Sequence, residues 1–301
     1  MRSFSGILLK KSCHFVHNLL YLRVEVPIAQ MMWPNVELIW ITLWMMASGA
    51  RIAAVSYLNT IPFIYGIQHE GNLRADLLLA PPAGCYENYI AGRADIALMP
   101  SAMVPTLTST NIITDYCIGS SGKVRTVVLF SNVPIKDVRR VFLDAHSRTS
   151  VQLCGYLAAN LWHIAPEWYD LQDYSQVAYA EKQDAFLLIG DKVFDHEGLF
   201  NYAYDLSEEW NRATGMPFAF AVWVARKGTS YEHIDALQRA LTFGVESIWE
   251  AIVENGFDQK PYNAYEYLTQ NIDFVFNAEK HSALQKFWNA GLKVEPRSNP
   301  G

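Results

Sequence analysis

From residue 51 onward, apolar positions fall into two alternating patterns: short unbroken runs, and stretches where they recur three and four residues apart. The runs at 51–55, 77–79, 95–98, 124–130, 141–143, 185–189 and 218–224 predict strands, the last rich in β-branched and aromatic residues. Helices are predicted from Pro62 onward, over 85–91 with Gly92 closing the turn, and over 151–161. Ile234, Leu237, Leu241, Val245, Ile248 and Ile252 mark one face of a long helix that Gly256 would cap. Shorter helical pieces are expected at 262–268 and 272–284, and the polar, glycine-bearing stretch 117–122 reads as a loop.

Strand and helix alternate, which defines an α/β class. The runs 124–130 and 218–224 read as crossover strands that bracket residues 131–217. The expected organisation is therefore two lobes, one from 51–130 and 218–290 and a second from 131–217, with a ligand in the cleft between them.

Residues 1–50 differ from the rest. The apolar stretch 36–46 contains Glu37 and is far short of the roughly 20 residues that cross a bilayer. As a secretory signal the layout is poor, because Lys10 and Lys11 lie well upstream with Glu25 and Pro34 in between. The leading expectation is that translation begins at Met45 or Met46; a targeting or membrane-surface segment and a structured extension are the other readings. No stable membrane association is expected.

Composition narrows the function. Of 301 residues, 51% are apolar and 18% charged, which suits a well-packed globular chain. The formal net charge of −6 provides no basic field, so nucleic acid is not an expected partner. An anionic ligand remains possible, since one Arg, one hydroxyl and a helix start neutralise a carboxylate locally. Cys13, Cys85, Cys117 and Cys154 form no CxxC pair, which fits buried thiols in a reducing cytosol. His196 stands beside Glu197 without an HExxH spacing, and no metal is expected. P-loop and GxSxG spacings are absent.

Four groups of residues could carry chemistry, each with a plainer reading beside it. Ser56 and Asn59 follow a strand and precede a helix, where they suit a carboxylate site or an ordinary turn and cap. Ser147, Arg148, Thr149 and Ser150 precede a helix and suit an anion seat, or one N-cap with solvated neighbours. Gly119 and Ser120, with Arg125 nearby, form a ligand loop or a connection. Asp191 and Asp144 end strands, where they orient a substrate or cap a turn; His146 is the one histidine close to a candidate site.

As an ordered set these motifs resemble the chorismate dehydratases of the futalosine route to menaquinone. The resemblance runs from Ser56-Tyr57-Leu58-Asn59-Thr60 with Pro62, through Gly92-Arg93-Ala94-Asp95 with Pro100 and Ser101, to Asp115-Tyr116-Cys117-Ile118-Gly119-Ser120 with Gly122. It continues through Leu143-Asp144 with Ser147, Thr149 and Ser150, then Ile189-Gly190-Asp191, Glu209-Trp210 and Thr214-Gly215-Met216-Pro217-Phe218. It covers residues 51 to about 290, with Thr126 standing where the family pattern suggests Ser. The resemblance implies a two-lobed type II periplasmic-binding-protein-like fold with a central interlobe cleft, used as a cytoplasmic carbon–oxygen lyase without cofactor. Its substrate would be a small dicarboxylate, chorismate, converted to 3-[(1-carboxyvinyl)oxy]benzoate and water. Asn59 becomes the catalytic candidate, and Ser101 and the helix start at 147–150 would hold carboxylates. The competing classes are a non-catalytic binding protein for a small carboxylate and the related naphthoate synthase of the same route.

Overall fold

The first apolar run forms β1 (Ala50–Val55), buried at every position except Arg51. It pairs in parallel with β2 (Ala75–Ala80) and β3 (Ile96–Pro100), and α1 (Ile61–His69) and α2 (Pro82–Ile90) make the crossovers. Pro62 and Pro82 occupy the first turns of these helices, where a missing N–H costs nothing. The computed structural model describes residues 49–171, 173–179, 181–291 and 293–298. The expectations for residues 1–48, Cys13 included, lie outside these.

After β4 (Thr110–Ser120) the chain leaves the first sheet, and it returns as β10 (Phe218–Arg226), antiparallel between β3 and β4. A short edge strand, β11 (Asp273–Val275), completes the order β11-β4-β10-β3-β1-β2. The second sheet contains β5 (Val127–Ser131), β6 (Arg140–Asp144), β7 (Glu167–Leu171), β8 (Asp184–Ile189) and β9 (Tyr202–Asp205), in the order β7-β6-β8-β5-β9. Here β6 is parallel to β7 and β8, and β5 is antiparallel to β8 and β9. Each sheet therefore has a parallel set interrupted by an antiparallel strand next to a connection between the lobes, β10 in the first and β5 in the second. The first sheet adds β11 antiparallel at its edge. Strand β8 is buried at all six positions and β10 at all but Arg226, as expected for central strands covered on both faces.

Further helices are α3 (Thr149–Leu157), α4 (Leu206–Thr214), α5 (Tyr231–Glu246), α6 (Ile248–Glu254) and α7 (Ala278–Asn289). No described helix is long and apolar enough to cross a membrane.

Four sequence expectations change. The stretch expected as a loop at 117–122 is mostly the end of β4, because Cys117 and Ile118 are buried and pair with β10. The run expected at 124–130, assigned to the first lobe, is β5 and bonds only within the second sheet; the outward crossing lies at 121–126. The long helix breaks at Ser247, whose φ and ψ are −112° and 35°, although its apolar spacing continues across the break. Residues 272–284 begin as the edge strand β11 and become helical only at α7, where the Asn277 side chain accepts the Lys280 N–H.

One carboxylate ties the two crossings together. Asp205 accepts N–H bonds from Val124 (3.2 Å) and Arg125 (2.6 Å) on the outward path. It also accepts from Ser207 (3.0 Å) and Glu208 (3.2 Å) on the return. Burial nevertheless pushes its pKa up to about 6.

Candidate active site

Strand ends and one helix start converge between the two sheets, at the crevice where open α/β sheets bind ligands. A cavity of about 60 Å³ lies there, lined by Tyr57, Asn59 and Thr60 from the turn after β1, and by Thr126 from the outward crossing. Ser147, Arg148, Thr149 and Ser150 close it from the start of α3, Gly190 from the end of β8, and Phe220 and Ala221 from β10. The cavity thus brings together Asn59 and all four residues of the proposed anion seat.

Asn59 is half-buried, and its Oδ1 accepts the Thr60 hydroxyl at 3.1 Å. Beside it, the Thr126 and Tyr267 hydroxyls share a 2.7 Å hydrogen bond. Tyr267 is fully buried on a π-helical turn, Tyr267–Asn271, a form of helix that often marks functional positions. Burial raises its pKa, while bonds to Thr126 and Asn59 act in the opposite direction.

At the seat, the Ser147 hydroxyl accepts the Ser150 N–H at 3.1 Å and serves as a local cap. The Thr149 hydroxyl donates to the Phe220 carbonyl at 3.0 Å and accepts the Ala102 N–H at 3.2 Å, joining α3 to the first lobe. Ser150 is buried against the cavity, and Arg148 is exposed at its mouth. A larger cavity of about 400 Å³, walled by Met103, Tyr156, Phe287 and Trp288, shares Ser147 and Arg148 with the smaller one. Arg148 therefore stands where the two spaces meet.

Other predicted residues lie elsewhere. Asp191 is not on the cavity lining: its two carboxylate oxygens accept the Leu58 N–H at 3.0 and 3.1 Å, clasping the turn after β1 from the opposite lobe. Burial raises its pKa to about 6, with the Leu58 N–H and the charge of Lys260 acting against the shift. Ser56 is exposed, its N–H bonded to the Ala80 carbonyl at 3.1 Å. Ser101 is fully buried, with its carbonyl accepting Trp288 Nε1 at 2.9 Å.

Gly119 packs away from the cavity. A Cβ there would fall 2.8 Å from the Phe218 carbonyl and 2.9 Å from Lys280 Cε. The Ser120 hydroxyl accepts the Gly122 N–H at 3.3 Å, so both residues serve the tight end of strand β4. Arg125 pairs with Glu197 at 2.8 Å, and His196 Nδ1 lies 2.8 Å from the Lys192 carbonyl. Asp144 is fully buried, 2.6 Å from Lys192 Nζ and 2.8 Å from the Tyr174 hydroxyl; His146 is half-exposed beside it.

Sequence reading assigned no role to Tyr57 or Tyr267. Tyr57 was visible within the first motif, but its place on the cavity wall depends on Gly190 of the other lobe. Tyr267 meets Thr126 across 141 positions, and no local pattern signals that pairing.

Two sheets with exchanged antiparallel strands around a central crevice define a periplasmic-binding-protein-like fold, and solved structures agree. Protein AF1704 from Archaeoglobus fulgidus superposes with a TM-score of 0.62 at 14% identity, covering 79% of this chain and 95% of that one. The periplasmic aliphatic sulphonate binding protein SsuA from Escherichia coli gives 0.54 at 15% identity, over 80% and 90%. A Candida albicans protein with the generic periplasmic binding protein fold gives 0.51 at 12% identity, over 82% and 92%. More specifically, a family model described as menaquinone biosynthesis matches residues 50–292, and the chain belongs to that family.

Proposed function

We propose that this protein is a cytoplasmic chorismate dehydratase, a hydro-lyase that forms 3-[(1-carboxyvinyl)oxy]benzoate and water on the futalosine route to menaquinone. The observation that carries this reading is the cavity wall itself: the anion seat at 147–150 faces Asn59 and Thr126 across a small space whose lining contains no carboxylate or imidazole among the described residues. Such a site suits a dianion that brings its own drive and its own base.

Chorismate becomes aromatic when it loses its ring hydroxyl and the proton on the neighbouring ring carbon, the one that bears the ether oxygen. The protein then has to orient it and stabilise enolate-like charge as it develops. In this reading the seat and Arg148 hold carboxylate, Asn59 and Thr126 direct polar groups at the ring, and Phe220 and Ala221 support its face. The enolpyruvyl carboxylate of the substrate serves as base. A cavity of about 60 Å³ is small for the whole molecule, so part of the substrate extends past Arg148 toward the larger space.

The test is to incubate the full chain with chorismate, follow loss of diene absorbance and identify the product by mass spectrometry. Asn59→Ala is expected to lower kcat by roughly 10²–10³-fold, as for loss of a positioned donor. Turnover at the wild-type rate would remove Asn59 from the centre of the mechanism. The fold shared with the sulphonate binding protein supports one other reading, a solute-binding protein, and tight binding of chorismate without turnover would favour it.

A further inference from the structure

We propose that Tyr57 is a catalytic residue: its hydroxyl donates the proton that lets the ring hydroxyl of the substrate depart as water. The assignment rests on the dehydratase reading and adds a step that reading left without a donor. Hydroxide is a poor leaving group, and expelling it from carbon calls for a positioned proton. Among the described residues, two titratable side chains line the smaller cavity, Tyr57 and Arg148. The guanidinium of Arg148 serves as a fixed positive charge for a carboxylate.

Three neighbouring hydroxyls are already committed, and those of Ser147 and Ser150 belong to the carboxylate seat at the start of α3. Thr149 donates to the Phe220 carbonyl, Thr60 donates to Asn59, and Thr126 is paired with Tyr267. Tyr57 is also held in place by its surroundings. Gly190, at a φ of +75°, leaves the space its ring fills, for a Cβ there would lie 2.9–3.1 Å from three ring atoms. Gly190 belongs to the second lobe and Tyr57 to the first, so the ring is seated when the two meet around the cavity. Burial, then the charges of Asp144 and Asp191, raise the pKa of the phenol, which keeps it protonated at neutral pH and available as a donor.

The step balances. The proton on the ether-bearing ring carbon passes to the enolpyruvyl carboxylate, and the electron pair is held as the extended enolate of the ring carboxylate. The ring C–O bond then breaks with its electron pair on oxygen. That oxygen takes the Tyr57 proton, since the conjugate acid of hydroxide has a pKa of about 15.7 and outbids a phenol. The phenolate regains a proton from the enolpyruvyl carboxyl group through solvent. One water is lost and nothing is oxidised or reduced.

The experiment compares the full wild-type chain with Tyr57→Phe on two substrates, chorismate and an analogue carrying fluoride in place of the ring hydroxyl. Fluoride leaves without needing a strong proton donor. On chorismate the variant is expected to lose about 10²-fold or more in kcat with KM within a few-fold of wild type. On the fluoro analogue the two proteins are expected to match within a few-fold. Full activity of Tyr57→Phe on chorismate overturns the assignment, and so does an equal loss on both substrates, which marks a structural role. Absence of chorismate turnover in the wild type overturns the dehydratase reading and this assignment with it.

Discussion

Asp191 shows how a single residue links the turn beside the candidate site to the second lobe. Its carboxylate reaches from the end of β8 to the Leu58 N–H, one position from Tyr57 and Asn59. Burial raises its folded pKa to about 6, above the ordinary 3.8, with Lys260, Tyr262 and Tyr267 as ionisable neighbours. Between about pH 4 and 6 the folded protein therefore binds a proton that the unfolded chain has released. Its contribution to stability falls as pH rises through that window and is level above it. Asp191→Asn keeps an acceptor for Leu58 and removes the titration. Thermal unfolding across pH 4–7 should show wild type losing stability relative to Asp191→Asn up to about pH 6, then a constant difference; a constant difference throughout would show that Asp191 titrates normally.

Elements reach the site through how closely they pack. Helix α1 opens just after Asn59, and its position is set by a crossing with α5 in which two glycines interlock. A Cβ on Gly66 would lie 1.9 Å from the Ala240 carbonyl oxygen, and one on Gly244 would lie 1.9 Å from that of Pro62. Both obstacles are backbone and cannot rotate away. Gly66→Ala should therefore cost about 1–3 kcal/mol or more despite the better helix propensity of alanine, read as a lower urea midpoint at unchanged m. Helix α3 contributes differently, since its first turn carries the seat and the Thr149 hydroxyl fixes it to β10. Both helices were visible in the sequence, α1 from Pro62 at its first turn and α3 from the apolar run at 151–161 that follows the polar stretch 147–150. The interlocked glycines were not, because neither carries a side chain to show which backbone it meets.

Across the whole molecule, Asp205 joins the outward and return paths between the sheets by accepting four N–H groups. Asp205→Ala would leave these donors without their partner in a site only 3% exposed, and should cost about 3 kcal/mol or more in denaturant unfolding. Asp205→Asn, which keeps one acceptor oxygen, should cost less. A loss as small as that of a surface substitution would mean the crossings hold without it. A further link comes from residues 293–297: Val294 exchanges hydrogen bonds with the Gln152 side chain, and Arg297 bridges to Tyr169 beside the edge strand β7. Gly155 makes room for Val294, since a Cβ there would lie 2.2 Å from its Cγ2.

The sequence alone determined the α/β class and most strands, and offered the polar helix start at 147–150 as a candidate seat, because each depends on contiguous residues whose period, capping or turn chemistry is local. The candidacy of Asn59 came from the resemblance of the ordered motifs. Only the tertiary structure decided that Gly119 and Ser120 complete the end of β4, that β5 belongs to the second sheet, and that Asp191 clasps a backbone N–H. The same holds for Tyr57 and Tyr267, each of which meets its partner only when distant parts of the chain come together. A hydroxyl or carboxylate has the same local signature whether it faces a cavity or a neighbouring backbone, and the direction it faces is set by packing between segments far apart in the chain.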